Sequence, residues 1–545
     1  MKFSMKTPAG VLFSVVATLA LFADAFPSAE RAERTKFIAF AWEFNSDSPE
    51  VLLRYADAFD KTPLDGVGIN LRSSAVIDGK RVRLNYYNFM HDPAWPKEAF
   101  AKQIPHLREL AKHRSMRHSF LSSLTAPYER RIDWMDDAEW ARIAESMRTV
   151  AWVAKESGLK GMKIDPEDYR KLKQFSRRAG EAPYDELCEI VRRRGRELFA
   201  PVFEEYPDIT LHFFWFFSHL EHYTKYDRAN VAAMCRADEN LWPAFLNGVL
   251  DVLPAGATIN DGDEDGYHHT AAKNGYRNGA YMFHSLYPQL VAPENQDKYR
   301  RQVRYSPPIY TAMYTSKEGT TWYKPPTEGS RLETLRRDLI QASDVSGGYV
   351  WFWTELHPWV KRARNWKRGD PRILDTTLPE ALPGLFEVME WAKNPVAFYD
   401  RQVAALSAKG TLVNLAETNS VSVTNGYETV SLKNVKGGEY YGIAFDVAPN
   451  ASARVNVFVR DAKGKYVQPS INMIYPRDGR GVVRIPEGGA RGTIVFSARN
   501  PAGRKTVFEN LRVYRLFCEE KPAKAEPGEI KDKPVKEKCK KCVKK

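Results

Sequence analysis

Apolar and polar positions change rhythm repeatedly along this chain, and the changes outline its architecture. KFIAFAWE (36–43) is a nearly continuous apolar run of strand length, SPEVLLRYADAFDKT (48–62) has helical spacing behind a Ser-Pro start, and LDGVGINL (64–71) is strand-like again. The alternation then continues. PKEAFAKQIPHLRELAKHR predicts a helix before the strand HSFLSSLTA at 118, DDAEWARIAESMRTVAWVAKESG one before GMKID at 161, and YDELCEIVRRRGRELFAPVFEEYP one before ITLHFFWFF at 209. ENLWPAFLNGVLDVLP leads to ATIND at 257, and a partly helical stretch over 270–303 leads to PPIYTAMY at 307. RLETLRRDLIQASDVS leads to GGYVWFWTE at 347, and LPGLFEVMEWAKN closes the run near 394. Strands alternating with helices predict a parallel sheet, and eight such strands are the count of a (β/α)8 TIM barrel. An open doubly wound sheet is the competitor, but no G-x-G-x-x-G follows the first strand.

Beyond about residue 400 the period drops to two. Segments such as ETVSLKNV, EYYGIAFDVA, ARVNVFVRD and RGTIVFSAR are separated by Asn-Gly, Gly-Gly and Pro-containing turns, the pattern of an antiparallel β-sandwich. The expected fold is therefore α/β: a (β/α)8 TIM barrel over 33–398, then a C-terminal antiparallel β-sandwich over 405–517. Such a module either binds carbohydrate or buttresses the barrel.

The two ends read differently. Lys2 and Lys6, an apolar run from Val11 to Phe22 and the triplet Ala23, Asp24, Ala25 form the pattern of a secretory signal over 1–25, so the chain is expected to be secreted or periplasmic. No later segment has the unbroken apolar length of a membrane span. Residues 518–545, rich in Lys, Glu and Pro, lack core-forming side chains and read as a disordered tail. Five cysteines are an odd number for an oxidising compartment. Cys188 and Cys235 read as buried thiols, and the lone Cys539-x-x-Cys542 lacks the second pair of a structural zinc site. The net charge of +13 admits an acidic or sulfated polysaccharide partner, or a diffusely basic surface serving solubility. Nucleic acid does not suit an exported chain.

In a barrel of this class the chemistry lies where the strands end, so the polar residues there are the candidates. Strand one ends in Trp42 and Glu43, strand four in Asp165, Glu167, Asp168 and Tyr169, and strand five in Trp215. Strand six ends in Asp261, Asp263, Glu264 and Asp265, with His268 and His269 beyond, and strand eight ends in Trp353 and Glu355. Glycoside hydrolysis needs two carboxyl groups flanking the scissile bond and aromatic faces to stack on sugar rings. Crowding raises carboxyl pKa values, which keeps one group protonated as the acid. Glu167, Glu264, Asp165 and Asp261 are the catalytic candidates. Trp42, Glu43, Tyr169, Trp215, His268, Trp353 and Glu355 are the substrate-binding candidates. Asp168 and Asp265 are equally well read as helix-start charges.

GLKGMKIDPEDY (158–169) resembles the fourth-strand segment of two groups in the TIM-barrel glycoside hydrolase superfamily. Asp165-x-Glu167 is similar to the end of the D-x-x-D-x-D-x-E motif of chitinase-type enzymes. That resemblance implies Glu167 as general acid and Asp165 as a residue assisting a substrate acetamido group. The third acidic position of the motif is Lys163 here, and the next one upstream is also lost. Lys163-x-Asp165 is instead similar to the K-x-D of α-galactosidase-type enzymes, which implies Asp165 as nucleophile and an acid from strand six, among Asp261, Asp263 and Glu264. The chain also resembles exported bacterial barrel proteins with D-P-E-x-Y and D-G-x-E segments, here Asp165 to Tyr169 and Asp261 to Glu264; that likeness implies no substrate.

No cofactor is expected. Asp261, Asp263, Asp265 and Gly266 match the first half of a calcium loop, but its twelfth position is Ala272. A metal on Asp261, Asp263, His268 and His269 is a minority alternative. The expected function is that of an exported glycoside hydrolase acting on a complex, acidic or sulfated oligo- or polysaccharide. The alternatives are a non-catalytic glycan-binding barrel protein or a metal-dependent barrel hydrolase.

Overall fold

The computed structural model describes residues 35–518, apart from 45–46, 225–227, 327–329, 363–371, 413, 416–417, 433–434, 449–452, 468–471, 475–477 and 502. The expected leader over 1–25, and the tail after Cys518 with Cys539 and Cys542, lie outside the described residues.

Eight parallel staves form the first sheet: β1 (Lys36–Ala41), β2 (Gly66–Ile69), β3 (Phe120–Leu124), β4 (Gly161–Asp165), β5 (Thr210–Phe213), β6 (Thr258–Asp261), β7 and β8 (Tyr349–Thr354). β7 is made of two pieces, Val303–Tyr305 and Pro308–Tyr310. The first piece pairs with β6, the second with β8, and β8 pairs with β1, so the sheet closes into a barrel. The break follows from the sequence. Pro307 and Pro308 have no N–H to give to a ladder, so the stave leaves one neighbour and rejoins at the other. The strand thus begins at Val303, inside the stretch that the sequence predicts as partly helical, and not at Pro307.

Helices α1 (Pro49–Leu53), α2 (Ile104–Leu110), α3 (Asp137–Glu156), α4 (Tyr184–Glu205), α5 (Trp242–Val252), α6 (Gly275–Ser285) and α7 (Arg331–Val345) surround the barrel. Several start where the sequence provides a cap: Ser48, Asp136 and Ser330 each accept a backbone N–H three residues on. The helix expected from Pro96 onward is shorter, two 3-10 turns followed by α2 with Pro105 in its first turn. An antiparallel ribbon, 72–77 with 80–85, projects after β2 around Asp78-Gly79, both at positive φ. The pattern reading passed over it, although RSSAVIDGKRVRLN carries the Asp-Gly hairpin signal. Cys235 is buried and Cys188 is half-buried; both are free thiols.

Side-chain parity decides which residues face the barrel interior. His212 lies 5.2 Å from Phe40, 5.8 Å from Phe120 and 5.7 Å from Trp351, so β1, β3, β5 and β8 point those residues at one another across the barrel. Gly68 on β2 leaves room for Phe40, whose ring carbon would stand 2.3 Å from a Cβ there. Phe213 faces the other way, 5.9 Å from Phe199 of α4. Since neighbouring staves in register share a face, Ser122, Lys163, His212 and Asn260 form one inward layer.

The rest of the chain is a two-sheet sandwich. Its strands are β9 (Ser420–Val423), β10 (Gly426–Leu432), β11 (Glu439–Val447), β12 (Arg454–Arg460), β13 (Asn472–Ile474), β14 (Arg480–Arg484), β15 (Arg491–Ala498) and β16 (Thr506–Cys518). One sheet runs β9-β16-β11-β14 and the other β10-β15-β12-β13. Strict alternation in β12 and β15 turns Val455, Val457, Val459, Ile494 and Phe496 into the shared core. Two further helices, α8 (Leu385–Lys393) and α9 (Pro395–Ala408), join sandwich to barrel. Trp391, Phe398 and Tyr399 pack there on Tyr440, Val482 and Leu516, while Arg484 of β14 approaches Glu333 of α7 at 3.5 Å.

Candidate active site

β4 ends in the sequence Asp-Pro-Glu, and its geometry is local in origin. Asp165 folds back so that its Oδ1 accepts the N–H of Glu167 at 3.0 Å, an Asx turn that Pro166 favours by fixing its own φ. Oδ2 accepts the Tyr169 hydroxyl at 2.9 Å and faces Lys163 Nζ at 3.5 Å. Tyr169 leaves 43% of its surface exposed and gives its hydroxyl to the floor. Lys163 is 4% exposed. Its ammonium sits 4.2 Å over the Phe214 ring, which stacks on Trp351 at 4.5 Å and 8°. A cation on an aromatic face beside a carboxylate is a strong local arrangement in a dry site.

The end of β6 brings a second carboxyl group to the same place. Asp263 adopts a left-handed conformation, φ 48°, and opens a 3-10 turn over Glu264–His268. In such a turn residues three apart eclipse, so Tyr267 lies over Glu264 and its hydroxyl donates to Oε1 at 3.0 Å. Glu264 Oε2 is buried and has no partner among the described residues. β8 contributes Trp353, whose Nε1 donates to Glu355 Oε1 at 2.9 Å; Tyr310 also hydrogen-bonds Glu355.

These groups sense one another electrically. Burial, then the negative charge of Asp165, pushes the Glu167 carboxyl up to about 7, with Glu355 adding to the rise and Tyr169 and Lys163 opposing it. Burial, then Asp165 and Glu167, raises Glu264 well above the usual carboxyl range. Burial, then Asp165 and Glu167, also raises the Tyr169 phenol. Two carboxyls of one cluster, Glu167 and Glu264, are thus shifted toward the protonated form, which is what the acid of an acid–base pair requires.

The other sequence candidates are placed elsewhere. Asp261 points outward from β6, where its carboxylate accepts the N–H groups of Phe216 and Ser218, each at 3.0 Å, and the Ser218 hydroxyl. It anchors the turn after β5 and is not brought to the Asp165 group. Glu43 lies in the 3-10 turn Trp42–Phe44 that follows β1. It is 2% exposed, accepts the Trp359 N–H at 2.8 Å and pairs with Arg362 at 2.9 Å; Arg362 also binds Asp47. Burial raises Glu43 to about 7 against the pull of Arg362. This cluster fastens the segment after β8 to the turn after β1. Arg362→Ala would leave two buried carboxylates without a counter-charge and is expected to cost about 3–5 kcal/mol of stability; chemical denaturation measures it, and a loss below about 1 kcal/mol would show the cluster to be dispensable.

Trp42 carries the Arg372 guanidinium 3.6 Å over its ring. Trp215 lies beside His219 at 5.2 Å, with its indole N–H buried and unpartnered among the described residues. His268 is exposed and stacks on Trp322 at 5.8 Å. Asp168 accepts the N–H groups of Leu172 and Lys173 and shapes the loop after β4.

The alternative metal set is not assembled. Asp261 is saturated by the 216–218 turn, Asp263 faces Tyr305 and His269 on the outer side, and His268 is on the rim. Among the described residues, only Asp57, Asp60 and His113 converge closely enough to share an ion, and they lie on connections entering the strands, not on those leaving them.

Sequence reasoning missed Tyr86, Phe214, Tyr267 and Tyr310. Phe214 continues the inward parity of β5, and Glu-x-x-Tyr at 264–267 is an eclipsed pair once a 3-10 turn is given. Tyr86 follows the ribbon and was not reachable without it.

No protein-family model matches this chain, and no curated protein matches it significantly. Among solved structures, a glycoside hydrolase family 5 enzyme from Prevotella bryantii is 9% identical, covering 68% of this chain and 99% of that one at a TM-score of 0.37. A family 39 glycoside hydrolase from Bacteroides cellulosilyticus is 10% identical, covering 86% and 82% at 0.35. The catalytic domain of a hyperthermophilic chitinase from Pyrococcus furiosus is 13% identical, covering 66% and 95% at 0.34. At such scores these likenesses carry no argument about activity, which rests on the geometry of the site.

Proposed function

We propose that the chain is a glycoside hydrolase. The observation that carries this reading is the convergence of Asp165, Glu167 and Glu264 on an aromatic-lined floor, with Glu167 raised to about 7 beside a carboxylate held by three donors. Glu167 gives its proton to the glycosidic oxygen as the C–O bond breaks, so the leaving sugar departs as an alcohol. Asp165 supplies negative charge next to the anomeric carbon as positive charge develops there. A water molecule completes the hydrolysis by adding hydroxide to that carbon and returning its proton to Glu167. Glu264, the more deeply enclosed carboxyl, donates a hydrogen bond to a sugar hydroxyl. Trp353, Tyr310 and Tyr267 supply stacking faces. An exported chain, as the first 25 residues suggest, would meet such a polysaccharide outside the cytoplasm.

The test is a screen of the purified protein against neutral, uronate-bearing and sulfated oligosaccharides, scoring new reducing ends. Because Glu167 must be protonated, kcat/KM is expected to be flat below its pKa of about 7 and to fall about tenfold per pH unit above it. Binding without cleavage across the panel would replace this reading with that of a non-catalytic glycan-binding protein.

A further inference from the structure

A line of aromatic rings leads away from Asp165 toward solvent on the β2 to β4 side. Tyr86, buried directly after the ribbon, lies within electrostatic range of Asp165 and 5.6 Å from Lys163 Nζ. Its ring is 4.0 Å from Tyr87, Tyr87 is 5.8 Å from half-buried Tyr128, and the Arg170 guanidinium caps Tyr128 at 4.8 Å. The lane is fixed at its inner end, since Asn85 accepts the Tyr87 N–H and Asp92 in turn accepts the Asn85 N–H. It is fixed at its outer end too, where Arg170 Nε donates to the Tyr128 carbonyl at 3.2 Å.

Arg170 differs from the other cations of this region. Arg130 is spent on Glu139, Arg177 on Glu239, and Arg178 on the Leu172 carbonyl. Arg170 is exposed, and its terminal NH1 and NH2 groups have no partner among the described residues. Lys171 and Lys173 are exposed on the same loop. Held by its Nε and by the ring beneath it, the guanidinium presents a pre-oriented fork, the geometry that matches a carboxylate or a sulfate. At the inner floor the Lys163 ammonium is already paired with Asp165, with Glu167, Glu264 and Glu355 around them, so that cation is not offered to an anionic substituent.

We infer that Tyr87, Tyr128 and Arg170, backed by the buried Tyr86, form a distal sugar subsite that takes a ring bearing a carboxylate or sulfate, while an uncharged ring occupies the acidic centre. Contact with the half-buried rings of Tyr87 and Tyr128 supplies affinity for the glycan chain, and Arg170 supplies the choice of anionic ring. The inference rests on the proposed glycan-cleaving reading, and it is tested by binding so that the two can fail separately.

The experiment uses the full chain carrying Glu167→Gln, expected to slow turnover of natural glycosides, on a printed array of neutral, uronate-bearing and sulfated oligosaccharides. Anionic glycans are expected to bind in preference to neutral ones. Arg170→Ala should weaken the anionic ones about tenfold, the scale of one lost charge-assisted pair, and leave neutral ones unchanged. Arg170→Lys should fall between, because an ammonium keeps the charge without the fork. Tyr128→Ala should weaken both classes. No binding of anionic glycans, an unchanged anionic signal in Arg170→Ala, or an equal loss for neutral and anionic glycans would each overturn the subsite. Arg170-dependent binding in a protein that cleaves nothing would keep the subsite and remove the hydrolase reading.

Discussion

Glu167→Gln is expected to lower kcat by about 10²–10⁴-fold on natural glycosides while leaving KM nearly unchanged, the signature of a lost general acid. The amide keeps the shape of the carboxyl and removes its transferable proton. The loss should depend on the leaving group. A glycoside whose nitrophenolate departs without protonation should recover most of the rate, and the decline above pH 7 should vanish with the carboxyl that causes it. Full activity in the variant, or an equal loss on both kinds of substrate, would remove Glu167 from this role.

Asp165→Asn combines a catalytic and a structural effect. Loss of the anion next to the anomeric carbon is expected to cost about 10²–10³-fold in kcat. The substitution also strands Lys163, 4% exposed, with an ammonium 3.5 Å from a neutral amide. Breaking a buried pair from one side costs about 3–5 kcal/mol, so the thermal midpoint should drop clearly. Adding Lys163→Met should restore much of the stability by removing the orphaned charge, and it should not restore turnover. A single variant as stable and as active as the parent would mean that Asp165 does neither job.

That β4 is a buried strand ending in a group of carboxylates is legible in the sequence, because GMKID is short, apolar and followed at once by Pro166, Glu167 and Asp168; that Asp165 itself is enclosed is not. The Asx turn is local as well: Asp165, Pro166 and the N–H of Glu167 make it within three residues. Asp261 and Glu43 were harder. Each stands at the end of an apolar strand next to an acidic or aromatic neighbour, and each proved to serve a turn or an ion cluster outside the barrel wall. For Asp261 the deciding information is the alternation of β6, one residue in and the next out. It was present in the sequence, but it needs one residue of known direction to set the phase.

The sequence by itself determined the eight-fold alternation of strand and helix, the change to period two near residue 400, and the acidity of the ends of β4 and β6. These depend on spacing and local turn chemistry, which a linear pattern records. The tertiary structure alone decided which acids share a site, because that depends on barrel closure across the broken β7 and on the phase of each stave. It alone set the raised pKa values of Glu167 and Glu264, since burial and a neighbour's charge belong to the assembled floor. It alone laid Tyr86, Tyr87, Tyr128 and Arg170 in one lane, for these come from three connections whose meeting no spacing along the chain encodes.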